Sequence, residues 1–184
     1  MKKNILFSVM CLLMITLLAS CGKENKIPGK YKTHFTQKTE ASGTSPEMNL
    51  EMDGIVTYAK DKTVQIDFKI TGKVIISQEE YSNTLLLDMN VGMKGTWTVD
   101  GDRLKQTIDV NSMTGDINSV KAENEDEMAQ TIVDAVMQSK GEMLEGIKKE
   151  LAKTSNLESE IVKITDTEIV LKDNGGTTTL TRIE

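Results

Sequence analysis

The stretch "TVQIDFKI", Thr63 to Ile70, decides the fold. Val64, Ile66, Phe68 and Ile70 alternate with Thr63, Gln65, Asp67 and Lys69. A period of two puts the apolar set on one face and the polar set on the other, which predicts a half-buried antiparallel strand. Upstream, "NLEMDGIVTY" places Leu50, Met52, Val56 and Tyr58 on one face and Glu51, Asp53 and Thr57 on the other. Asp61-Lys62 lies between the two runs, so they read as a hairpin. Downstream, Val74 and Ile76 carry the pattern past Gly72, where a bulge or bend is expected. Leu85, Leu87, Met89, Val91 and Met93 alternate again. "GTWTVDGDRLKQTIDV" reads as two strands around a turn at Asp100-Gly101, with Trp97, Val99, Leu104, Ile108 and Val110 inward.

The period changes after Ser119. Met128, Ile132, Ala135, Val136, Met143, Ile147 and Leu151 recur at helical spacing, which predicts a helical insert at about residues 122–154. Glu123, Glu125, Asp126 and Glu127 stand at its start and Lys148, Lys149 and Lys153 at its end, both favoured by the helix dipole. Gly141 and Gly146 each weaken a helix by about 1 kcal/mol relative to Ala, so a kink or two shorter helices is expected. "SEIVKITDTEIVLKDNGGTTTLTRIE" then reads as three short strands, turning near Asp166-Thr167 and Asn174-Gly175-Gly176. The expected fold is mostly β: an antiparallel up-and-down barrel of about eight or nine strands, with a helical insertion before the last three. Closure would remove the exposed edges of so large a sheet.

The chain carries 22 Lys and Arg against 28 Asp and Glu, a formal net charge of −6. Without residues 1–20 it loses Lys2 and Lys3 and no acid, and becomes more acidic still. An acidic chain without a basic cluster argues against nucleic acid or an anionic lipid surface as partner.

Met1-Lys2-Lys3-Asn4 is a short positive segment, and Ile5 to Leu18 is almost wholly apolar. That run is shorter than the ~20 residues a helix needs to span a bilayer, so it reads as a signal-peptide core over residues 1–20. Leu18-Ala19-Ser20-Cys21 resembles the bacterial lipobox. The resemblance implies a diacylglyceryl thioether on Cys21, cleavage before it, an acylated amine and palmitate among the acyl chains. Two or three chains anchor a protein stably. Cys11 leaves with the signal, so no free thiol and no disulfide is expected in the mature domain. By the same resemblance Gly22, in place of Asp, favours the outer membrane. Lys23-Glu24 loosely resembles the surface-export signal of Bacteroidetes lipoproteins, which leaves the periplasmic and surface faces both open. Residues 21–28 are the lipidated cysteine and tether, and 29–184 the β domain.

"IPGKYK" (Ile27–Lys32), "GTWTVDGDRL" (Gly95–Leu104) and "ITDTEIVLKDNGGTTTLTRIE" (Ile164–Glu184) resemble the small lipocalin-like lipoproteins of Bacteroidetes. Tyr31 stands where lipocalins carry the Trp of a first-strand Gly-x-Trp. The resemblance implies a lipocalin-like barrel; the helical insert departs from the plain lipocalin plan.

No catalytic constellation stands out. His34 is the only histidine and has no Cys or second His to join it in a zinc or nucleophile site, so it reads as a surface strand residue. "DVNSMTGD" (Asp109–Asp116) has spaced oxygen ligands but lacks the glycine spacing and closing Glu of a calcium loop, and reads as a polar strand end or turn. Glu79-Glu80 and the Glu123–Glu127 cluster read as solvated charge. No cofactor or metal is expected, and the protein reads as non-enzymatic. Met52, Met89, Met93, Met128, Met137 and Met143 suit either an adaptable apolar pocket or a core filled by the helix. A cavity, if formed, would be walled by Ile66, Phe68, Ile70, Leu87, Met89 and Trp97. The leading expectation is a membrane-anchored cell-envelope lipoprotein binding a small apolar ligand inside the barrel. The alternative is a filled barrel acting as an envelope scaffold or protein-interaction module through its helical insert.

Overall fold

A computed structural model describes residues 22–41, 46–78 and 81–184. The alternating segments form β1 (Gly29–Thr39), β2 (Glu47–Tyr58), β3 (Thr63–Gln78), β4 (Tyr81–Asp100) and β5 (Arg103–Ala122). Two helices follow, α1 (Glu127–Gln138) and α2 (Lys140–Lys153), and then β6 (Asn156–Ile164), β7 (Glu168–Asp173) and β8 (Gly176–Arg182). The strands run antiparallel in sequence order, and β8 pairs with β1 to close the ring.

The ring is uneven. Strands β4 and β5 each run 20 residues, whereas β7 has 6 and β8 has 7. Strand β6 pairs only with Arg103–Thr107 of β5. Strand β8 pairs with β1 only at Tyr31–Arg182 and Lys32–Thr181. One end is therefore a closed ring of eight strands. At the other end β1 to β5 continue as a curved sheet, and the helices pack against the upper half of β5.

Two cores follow from this shape. At the closed end Tyr31, Val56, Tyr58, Val64, Ile66, Trp97, Leu104 and Ile108 meet Ile161, Ile169, Leu171 and Leu180 of the short strands. Under the helices Leu85, Met89, Val91, Ile117 and Val120 are buried, and Ile132, Val133, Val136, Met137, Leu144 and Ile147 pack over them from α1 and α2. Met93 touches both clusters and joins them.

Several expectations needed correction. Leu85–Met93 and Gly95–Asp100 are one strand, because β4 keeps pairing with β3 from Tyr81 to Thr96. Asp109–Asp116 is strand interior rather than a strand end or turn, since β5 continues to Ala122. One register shift lies there: Lys94 pairs with Asp109 and Gly92 with Thr114, so Val110–Met113 stand opposite Met93 alone, while a second shift, between Asp88 and Met89, lies just beyond it; such irregularities twist a strand without ending it. Gly72 makes no bulge: its register with Leu50 and Leu87 is regular. It is needed for close approach, because a Cβ there would stand 2.4 Å from Leu50 Cδ2. The helical insert does divide in two, at Ser139 rather than at a glycine. Asp126 caps α1, accepting from the Ala129 N–H at 2.7 Å.

The closed end is sealed from below. Residues 22–24 form a helical turn and the chain then folds across the ring opening, with Ile27 fully buried. Tyr31 Oη donates to the Ile27 carbonyl at 2.8 Å. Arg182 donates to the carbonyls of Pro28 (2.8 Å) and Lys26 (2.6 Å) and to Tyr31 Oη, with its guanidinium 4.8 Å over the Tyr31 ring. Lys62 pairs with Glu24 and lies 4.1 Å over the Trp97 ring. Lys62 itself sits at φ 71°, the left-handed conformation that lets β2 turn tightly into β3.

Candidate functional site

The inward rows hold little chemistry. Tyr31, Tyr58 and Trp97 stack edge to face, with centroids 5.9 and 5.8 Å apart. Trp97 Nε1 donates to the Ala59 carbonyl at 3.1 Å, and Tyr58 Oη donates to Gln106 Oε1 at 3.1 Å. Burial pushes the Tyr58 phenol far above its ordinary value, so it remains a neutral donor. Burial also raises Tyr31, partly opposed by Arg182. These hydrogen bonds and ring contacts tie the inward polar groups to one another and to the backbone.

The six candidate cavity residues are spread over the two core clusters, which meet at Met93. Ile66, Phe68 and Trp97 belong to the closed-end core, whereas Ile70, Leu87 and Met89 belong to the core under the helices. Ile66, Met89 and Trp97 are buried; Phe68, Ile70 and Leu87 are half-buried. Phe68 also packs against Phe35, with centroids 6.0 Å apart.

A depression of ≈ 1310 Å³ includes Phe68 alone of the six. It crosses β5, β4, β3, β2, β1 and β8 in the order in which they neighbour one another. Most of its bordering side chains are exposed ones of the outward rows, among them Lys32, His34, Asp53, Asp67, Lys69 and Asp116. Of the inward rows Thr33, Phe68 and Val91 border it, while their neighbours Tyr31, Ile66 and Met89 do not. It is therefore a trough on the outer face, spanning the point where β1 and β8 part company. Two glycines border it. On the outer side a Cβ on Gly92 would stand 2.9 Å from Thr114 Oγ1, and on the inward side one on Gly54 would stand 2.4 Å from Phe68 Cε1. A second depression of ≈ 650 Å³, bordered by Thr36, Lys38, Asn49, Lys73 and Leu86, lies farther up the same sheet.

The rim of the trough is mixed in charge, over a lining that includes Ile55, Phe68 and Val91. His34 Nδ1 lies 2.9 Å from Asp53 Oδ1, with both side chains mostly exposed. Lys69 pairs with Asp88 at 3.6 Å, and Lys140 of α2 reaches Asp116 at 3.2 Å. Asn118 bridges Asp88 and Asn90. Among the described residues no three His, Cys, Asp or Glu side chains converge as a metal site. Glu123 is exposed and paired with Lys73, whose ammonium holds its carboxyl below the ordinary range. Such an arrangement can recognise a polar surface through hydrogen bonds and exposed ion pairs. Cys21 and Glu79-Glu80 lie outside the described residues.

Sequence reasoning passed over the trough because its members look like any solvated strand face. It also passed over Arg182, a lone cation near the chain end. Met128 and Met143, expected on inward or amphipathic faces, are exposed on the helices.

Among the described residues no helix is long and apolar enough to cross a membrane. No family model matches the chain, and no curated protein matches it significantly.

Proposed function

We propose that this protein is a lipid-anchored module of the bacterial cell envelope that works by non-enzymatic binding on its outer surface. In this reading the lipocalin-like ring is a filled scaffold and the anchor is an acylated Cys21. The division of the six candidate wall residues between two packed clusters carries the reading. An apolar ligand would need a continuous wall, whereas here α1 and α2 occupy the concave face of the long strands. The binding surface is the trough around Lys32, His34, Asp53 and Lys69, whose mixed rim charges suit a macromolecular partner of complementary charge. The lipobox and the folded segment directly after it support the anchor, and the absence of an Asp after Cys21 supports the outer membrane.

The test is metabolic labelling with palmitate and detergent phase partitioning of the wild-type chain and Cys21→Ala. The wild type takes label and enters the detergent phase, while the variant does neither. A labelled, partitioning Cys21→Ala chain overturns the anchor. Lys32→Glu with Lys69→Glu should abolish cross-linking of the anchored protein to its envelope partner; undiminished cross-linking overturns the trough as the binding surface.

A further inference from the structure

We propose that the closed end of the ring rests against the bilayer, so that the helices and the upper part of the sheet point away from it. This rests on the lipid-anchor reading of Cys21 and adds an orientation to it. A lipidated domain on a long free tether tumbles above its membrane. Here the chain is held from Glu24 onward, by the Lys62 ion pair, the burial of Ile27 and the Arg182 bonds to the carbonyls of Lys26 and Pro28. Cys21 lies three residues before Glu24, a reach of about 10 Å even when fully extended. The acyl chains therefore enter the membrane beside the closed end, next to the turn between β2 and β3.

Charge agrees with that orientation. Lys23 and Lys26 of the N-terminal segment lie with Lys60 and Lys62 of the turn, because Lys62 is bonded to Glu24. Asp61, Asp100, Asp102, Asp166 and Glu184 stand at the same end, so the charge where the anchor emerges is mixed. The acidic run Glu123–Glu127 stands at the opposite end, where the Glu123 N–H meets the Thr84 carbonyl beside the start of β4. An anionic headgroup surface repels the acidic run more than it repels the mixed closed end. Strand β4 alone has 20 residues between the two ends, roughly 60 Å of strand at ~3.3 Å per residue.

The experiment uses the full chain, processed and acylated in a bacterium, then reconstituted into phosphatidylcholine–phosphatidylglycerol vesicles that carry a nitroxide on the headgroup. Because Cys21 is blocked as a thioether, Lys60→Cys and Glu125→Cys each offer one thiol for a fluorophore. The inference expects the label at position 60 to be quenched at least threefold more than the label at 125. Equal quenching, or stronger quenching at 125, on a chain that carries the acyl mass and floats with the vesicles overturns the orientation alone. A chain without acyl mass that fails to float overturns the anchor reading and the orientation with it.

Discussion

Arg182→Ala should release the segment that seals the closed end. The guanidinium makes three contacts, to the carbonyls of Lys26 and Pro28 and to Tyr31 Oη, and lies over the Tyr31 ring. A hydrogen bond from a charged donor is worth about 1.5–3 kcal/mol, and a cation–π contact at a partly exposed site about 0.5–1 kcal/mol. The three bonds share one side chain, and water can replace the bond to the Lys26 carbonyl, so they do not add. A loss of about 2–4 kcal/mol follows. In a domain of this size each kcal/mol lowers Tm by roughly 2–4 °C, which gives a fall of about 4–16 °C. Arg182→Lys keeps the charge but cannot fork to two carbonyls and the phenol, and should recover less than half of the loss. The assay is urea unfolding followed by fluorescence of Trp97, the single tryptophan, which is buried in the same core. A midpoint for Arg182→Ala within 0.5 kcal/mol of wild type, or full rescue by lysine, refutes the clamp.

Gly54→Ala should cost about 1–3 kcal/mol, because the new Cβ meets the Phe68 ring and Thr33 Cγ2; thermal melting checks it, and an unchanged Tm removes the close approach from the account. Gln106→Leu leaves the buried Tyr58 hydroxyl without its acceptor and should cost about 1–3 kcal/mol, while Tyr58→Phe with Gln106→Leu should recover most of that in a double-mutant cycle. Phe68→Asp puts an unpaired charge on the inward face and should destabilise by several kcal/mol; an unchanged melt would mean that the strand faces are reversed. The carboxyls of Glu123, Glu158 and Asp100 are held down by hydrogen bonds from Lys73, Arg103 and Lys105. Their folded values lie below the unfolded ones, so their contribution is present above the ordinary values of 4.5 and 3.8 and is lost as pH falls through the folded values. All three are exposed, so the urea midpoint should fall only modestly below about pH 4.5, and less so in Glu158→Gln.

The face of each strand was legible in the sequence, and its depth was not. Val64, Ile66, Phe68 and Ile70 announce an inward face by alternation alone. That same pattern cannot say that Ile66 enters one core and Ile70 another, because the division depends on where β6 stops along β5 and where the helices begin. "DVNSMTGD" looks like a loop because Asp, Asn, Ser and Gly favour turns. It remains within β5 because β4 pairs with Asp109 and again from Thr114, although Val110–Met113 between them have no register partner, and α2 packs Leu144 close to Gly115. The helical pair was legible from its spacing and acidic start. The trough was not, since it arises from outward side chains that become neighbours only across strands. Arg182 was equally hidden, because its partners Lys26 and Pro28 lie at the other end of the chain.

A filled interior is the central claim, and native mass spectrometry tests it most directly. Residues 22–184 would be purified from a bacterial cytoplasm without detergent, incubated with a total lipid extract of a bacterial envelope, and separated from it by gel filtration. The account predicts the bare polypeptide mass under native conditions. A bound species of a few hundred daltons that survives gel filtration and is lost on denaturation would contradict it, and would place an apolar ligand between the two cores.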